Sequence, residues 1–146
     1  MKKNIQKEDV KFQLKGIELL DVHVDYPKVP LKGLVTFKFN INVEIKIINE
    51  TKRVVEIISV DIFDNKSVNR FGFIKIGCEY GIENFDSFII AETNKADFPK
   101  QFITIINSIS ISTVRGVMFS QFRGTFLHGA ILPIIDPTFL DKKEKK

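Results

Sequence analysis

VTFKFNINVEIKI, residues 35–47, decides the fold. Phe37, Phe39, Ile41, Val43, Ile45 and Ile47 alternate without a break with Thr36, Lys38, Asn40, Asn42, Glu44 and Lys46. Side chains point to opposite faces along a strand, so this stretch has one apolar face and one polar face. Such a strand belongs to an antiparallel sheet that rests on a core and meets water on its other side.

Working outward, Phe12 to Tyr26 alternates more loosely. Phe12, Leu14, Leu20, Val22, Val24 and Tyr26 share one parity, broken by Glu18, while Gln13, Lys15, Asp21, His23 and Asp25 share the other. Pro27 and Pro30 end this strand, and KVPLKG makes the connection. Asn49 to Lys52 is turn-like and leads to a third strand, Arg53 to Phe63, which is apolar on both faces in places. Asp64-Asn65-Lys66 turns into a fourth, roughly Arg70 to Ile82. Short turns between consecutive strands predict an antiparallel meander.

After Asn84 the period changes. Asp97 followed by Pro99 reads as a helix start, an N-cap oxygen and then proline in the first turn. Phe102, Ile105, Ile106, Ile109 and Thr113 continue at helical spacing into Val117, Met118, Phe119 and Phe122. Gly116 is expected to bend or divide the helix. Ser108 to Ser112 (SISIS) also fits a strand, but the flanking stripes favour helix. Arg123-Gly124 reads as the helix end, with glycine in the left-handed C′ conformation. RGTFLHGAILPIIDPTFL (123–140) then carries an apolar run that Pro133 keeps from being helical, and Asp136-Pro137 predicts a short last helix through Leu140. The fold class is therefore α+β: a four-stranded antiparallel sheet with a long helix and a short C-terminal helix on one face.

With 146 residues, 44% of them hydrophobic, the chain fits one folded domain and is not a disordered protein. Residues 11–140 are assigned to that domain, 1–10 and 141–146 to charged tails expected to be loose. The net charge of +4 depends on Lys2, Lys3, Lys142, Lys143, Lys145 and Lys146 at the two ends, and the remainder is near neutral. Lysines and arginines are not clustered among aromatics as a nucleic-acid face requires, so no nucleic-acid partner is expected. MKKNIQKEDVKF lacks the apolar centre of a secretory signal, and no run approaches the ~18 uninterrupted apolar residues of a membrane span. A cytoplasmic location, without membrane insertion, is the expectation.

Cys78 is the single cysteine, which rules out an intramolecular disulfide and a multi-cysteine zinc site. His23 shares a strand face with Asp21 and Asp25, but no further His or Cys is placed to complete a metal site, and His128 stands apart. A solvated polar face is the simpler reading. Phosphate loops, nucleophile elbows and zinc helices are missing from the sequence, so neither catalysis nor a cofactor is expected.

The order of elements, and residues at both ends, resemble the SecB protein-export chaperones. FQLKGIELLDVHVDYPKVP (12–30) is similar to the family's first strand, and RGTFLHGAILPIIDPTFL to its Arg-Gly-x-Phe segment and following apolar loop. The resemblance implies an ATP-independent holdase. It would work as a homotetramer of two dimers, binding unfolded polypeptides in apolar grooves and, in many members, passing them to the SecA motor. It places Asp21 and Asp25 at motor-contacting positions. Phe73 and Ile74 fall near a mixed apolar and acidic patch of the same use, where the acidic partner's place is taken by Ile76. Family members are usually strongly acidic and this chain is not. Those departures suit a relative serving one dedicated client, as SecB-like chaperones of toxin–antitoxin systems do.

Physical reasoning supports the same expectation. A helix apolar nearly all round, with Ile103, Ile105, Ile106, Ile109 and Ile111, needs more cover than one sheet supplies, and a second subunit can provide it. Taken singly, Phe37, Phe39, Phe71 and Phe73 read more readily as core than as contacts. Together with Phe119, Phe122, Phe126 and Leu127, which border the proline-interrupted loop, they form the candidate client groove.

Overall fold

The structure is a computed structural model that describes residues 8–28, 31, 33, 35–66 and 69–136. Four strands come first: β1 (Phe12–Val24), β2 (Phe37–Ile48), β3 (Arg53–Asp64) and β4 (Arg70–Ile82). A minimal hairpin, β5 (Ile89–Ile90) with β6 (Lys95–Ala96), precedes one long helix, α1 (Lys100–Gln121). The alternation that predicted β2 is realised from Phe37 to Lys46, and Ile47 at its end is exposed. Phe37, Phe39, Ile41, Val43 and Ile45 are half-buried, while the polar residues between them are exposed.

β2 pairs with β3 in unbroken antiparallel register, from Phe37 opposite Asp64 to Ile48 opposite Arg53. The tight turn between them puts Lys52 at φ 55°, a left-handed conformation. β3 pairs in turn with β4, so β2, β3 and β4 form the expected meander. β1 lies on the far side of β4, giving the order β1-β4-β3-β2. The connection over 25–36 is longer than a tight hairpin turn and long enough to carry the chain across to the opposite edge.

β1 departs from simple alternation. Its pairing with β4 slips between Leu14 and Gly16 and again between Leu19 and Asp21. Each bulge adds a residue and reverses which side chains point inward. Phe12, Leu14, Ile17, Leu19, Val22 and Val24 therefore lie opposite the inward residues of β4, while Leu20, placed with Phe12 by sequence parity, falls in the second bulge and is 43% exposed.

The core lies between the sheet and α1. Val54, Ile58, Val60 and Ile62 of β3, and Ile74, Ile76, Cys78 and Tyr80 of β4, are fully buried on the helix side. Phe102, Ile106, Val114 and Met118 of α1 close over them. Fully burying aliphatic side chains of this size is worth about 1.5–3 kcal/mol each, which makes this layer the main source of stability. By length and apolar composition α1 would pass as a membrane span, yet its buried residues face the sheet, as in a core helix.

α1 runs unbroken through Gly116 and through Ser108 to Ser112, so the strand alternative for SISIS fails. Asp97 does not cap the helix. Its backbone N–H donates to Phe88 O at 2.8 Å, closing the β5–β6 hairpin, and Pro99 occupies the N-cap position. The C-terminal stop is as expected in kind: α1 ends at Gln121, Phe122 is the cap residue, and Gly124 has φ 81°. A 3₁₀ turn, Phe126–Gly129, follows, capped by Thr125, whose Oγ1 accepts from Leu127 N–H at 3.1 Å. The predicted last helix from Asp136-Pro137 to Leu140 falls outside the described residues. At the other end, Asn84 ties Asp9 and Lys11 to the body: its Nδ2 donates to Asp9 O and its Oδ1 accepts from Lys11 N–H, both at 2.8 Å.

Candidate apolar binding surface

Exposed aliphatic residues gather on β1. Leu14, Ile17, Leu19 and Leu20 are 38%, 52%, 39% and 43% exposed, because two bulges leave this edge strand unable to bury every aliphatic side chain it carries. Leu14, Ile17 and Leu19 lie opposite Tyr80, Cys78 and Ile76 and so share the helix-side face along the open edge. Leu20 instead joins Val55 and Ile57 in a depression of about 470 Å³ on the sheet face away from α1, bordered by Ile17 and rimmed by Glu18 and Glu79. Gly77 forms part of its floor, and a Cβ there would sit 3.5 Å from Leu20 Cδ1. Single exposed aliphatics are ordinary on protein surfaces, whereas a row of them along one open edge, with Leu20 and its charged rim on the neighbouring face, marks a candidate binding surface.

A second cluster surrounds the end of α1. Phe119 is 52% exposed and lies against the His128 ring at 4.9 Å. Phe126 packs edge-on to Phe71 at 5.7 Å and meets the largely exposed Tyr26 at 5.6 Å. A third set follows the 3₁₀ turn, where Ile131 and Ile134 face solvent beside α1.

The eight groove candidates divide by this geometry. Phe122 and Leu127 are core residues, 1% and 0% exposed, and Phe71 is buried. Phe37 and Phe39 lie half-buried along β2 at the sheet edge. Phe73 is on the other face, its ring 5.3 Å from the Arg70 guanidinium carbon and 6.3 Å from the His23 ring. Phe119 and Phe126 border the surface. Of the motor-contact candidates, Asp21 is exposed and holds His23 Nε2 at 3.1 Å. Asp25 is exposed as well, its backbone N–H bonded to Phe71 O. Ile74 is fully buried beneath the helix and reaches no surface.

The sheet face away from α1 mixes signs: Lys38, Lys46, Arg53 and Lys75 stand among Glu44, Asp61 and Glu79. Arg53 Nε approaches Glu79 Oε1 at 3.5 Å, and Arg70 donates to Asp61 Oδ1 at 3.2 Å. Among the described residues no three His, Cys, Asp or Glu side chains converge as metal ligands.

Sequence reasoning missed a polar knot under α1. Glu56, Asn107 and Ser110 are buried, and the Tyr80 hydroxyl lies 2.6 Å from Ser110 Oγ and 3.3 Å from Ile106 O. Burial pushes the Tyr80 phenol and the Cys78 thiol above their ordinary pKa values, leaving both neutral. A neutral buried thiol is a poor nucleophile, so the knot anchors the helix and offers no reactive group to solvent. The signal for it was Glu56, an acid at an inward parity between Val54 and Ile58.

A four-stranded antiparallel sheet with its first strand returned beside its last, backed by one long helix, is the SecB-like fold. It is shared with the solved Mycobacterium tuberculosis Rv1957 SecB-like chaperone in complex with a ChAD peptide from Rv1956 HigA1 antitoxin. That chain is 13% identical, with 85% of this chain and 89% of that one covered at a TM-score of 0.57. A Streptococcus agalactiae protein of unknown function aligns over 79% of this chain and 90% of its own, at 9% identity and a TM-score of 0.40. No protein-family model matches the sequence, and no curated protein matches it.

Proposed function

We propose that this protein is an ATP-independent chaperone that binds extended or non-native polypeptide segments through its exposed aliphatic and aromatic surface, without bond chemistry. The observation that carries this reading is the row of exposed aliphatic side chains along the open edge strand β1, Leu14, Ile17, Leu19 and Leu20, on a SecB-like fold. Burying each such side chain against a client contributes up to about 1.5–3 kcal/mol, and several together hold an extended chain without a sequence code. A homo-oligomer, with a tetramer favoured, fits the outward side of α1, where Ile105 and Phe119 remain exposed. A cytoplasmic location is part of the same reading.

A dedicated client is the second reading, favoured by the mixed charge of the outer sheet face and by the buried Ile74, neither of which suits handover to an export motor. The structurally similar Rv1957 holds a peptide from an antitoxin, and a single partner segment of that kind would suit this surface too.

Light scattering of an unfolded test protein, with mass measured by size-exclusion chromatography and multi-angle scattering, tests the proposal. Near-stoichiometric chain should suppress aggregation, and the Ile17→Lys/Leu20→Lys variant should lose most of that effect while keeping its thermal melt. A folded oligomer that leaves scattering unchanged would end the general holdase role. A pull-down returning one dominant partner would then select the dedicated reading.

A further inference from the structure

After the 3₁₀ turn, Ala130–Asp136 lies along the molecule as extended chain outside any sheet. From Ala130 to Pro133 its side chains alternate in burial. Ala130 and Leu132 are 3% and 1% exposed, whereas Ile131 and Ile134 are 49% and 96% exposed. Arg115 of α1 grips the backbone, its Nε donating to Leu132 O at 2.7 Å and its Nη2 to Pro133 O at 2.8 Å. Beside the strap, Ser108, Ile111 and Ser112 of α1 and Ile134 and Ile135 outline an open depression of about 230 Å³.

The groups that hold this strap are generic to polypeptides. One hole takes an aliphatic side chain, and a guanidinium fork takes two successive carbonyls, which any extended segment presents. The strap itself is a poor permanent cover. It leaves two isoleucines in water, and Pro133 has no N–H to bond.

We propose that the flank of α1 around Arg115 is a channel for an extended aliphatic polypeptide segment, and that Ala130–Asp136 is its resident occupant, exchanged when a client binds. The incoming segment would place an aliphatic side chain where Leu132 sits and its carbonyls on Arg115. The strap so released would expose Leu132 with Ile131 and Ile134 and add to the apolar surface. This deepens the polypeptide-binding function above and rests on it.

Spin labels at Ser112→Cys and Ile134→Cys, both exposed positions bordering the same depression, report the exchange, while the buried Cys78 stays unlabelled. The labelled full chain should show one short interspin distance alone. With a permanently unfolded, reduced and carboxymethylated test protein, the distribution should become longer and broad. Leu132→Ala should bind the same client at least roughly tenfold tighter, since its competing occupant is weakened, whereas Arg115→Ala, which strips the fork from both occupants, should gain nothing. An unchanged distance distribution with client bound would overturn the exchange while leaving polypeptide binding intact. Failure of the parent and of Leu132→Ala to bind client would overturn both. Should Leu132→Ala not fold, the distance measurement on the labelled chain decides.

Discussion

The contact between Gly72 and Leu127 gives the sharpest test of how the C-terminal segment is seated. A Cβ on Gly72 would lie 2.5 Å from Leu127 Cδ1, with Ile62 Cδ1 and His23 O each at 3.4 Å. Leu127 is 0% exposed, so its methyl has no free space to move into. Gly72→Ala should therefore cost about 1–3 kcal/mol of overpacking, reduced by about 0.4–1 kcal/mol because alanine restricts the unfolded chain. Leu127→Ala alone should cost about 2–5 kcal/mol as a buried leucine replaced by a void. In the double variant the new methyl enters that void, and the two losses should fall short of their sum by about 1–2 kcal/mol. Urea unfolding at one fixed protomer concentration measures all four chains, and concentration matters if the chain associates. For a chain of this length each kcal/mol moves Tm by about 3 °C. Strict additivity, or a neutral Gly72→Ala, would refute the argument that glycine is required there to admit Leu127.

Three further outcomes follow from the polar knot and the helix end. Cys78 should resist a thiol-specific reagent in the folded chain and react fully in urea; rapid labelling without denaturant would show that the helix does not seal it. The Cys78 and Tyr80 pKa values are raised above the ordinary 9.0 and 10.0, so on alkalinisation the unfolded chain loses these protons first. Stability from the two groups is therefore intact below pH 9.0 and falls above it, by about 1.4 kcal/mol per pH unit per ionised group. Tyr80→Phe should flatten the part above pH 10.0, and a urea midpoint that stays level in alkali would contradict the burial argument. Gly124→Ala, forced to hold φ 81°, should cost about 1 kcal/mol in Tm measurements, and an unchanged Tm would mean the turn relaxes freely.

β2 was legible residue by residue because one of its faces is apolar and the other polar for the whole strand, and period two has no competing explanation there. The β3 and β4 spans followed from the turns around Asn49 and Asp64. β1 was harder, since bulges at Leu14/Gly16 and Leu19/Asp21 have no composition of their own and reverse the parity on which the reading depended. The position of β1 beside β4 depends on where a proline-bearing connector lands, which is settled by the completed sheet and not by local pattern. At the helix start, Asp97 has the chemistry of a cap, but the β5–β6 hairpin claimed its backbone first. Among the site candidates, Phe119 was visible as a surplus aromatic on a stripe. Phe122 and Leu127 could be separated from it only once the 3₁₀ turn had folded back onto Gly72. Arg115 went unnoticed because its partners are main-chain carbonyls, which leave no trace in side-chain spacing.

The two kinks in β1 bear on the molecule's own solubility. A flat outer strand studded with leucine and isoleucine would invite copy after copy to zip on, as fibrils do. Interrupting the ladder twice along thirteen residues denies such growth a straight template while keeping the grease available. An apolar edge can in this way stay adhesive to other chains without becoming a seed for copies of itself.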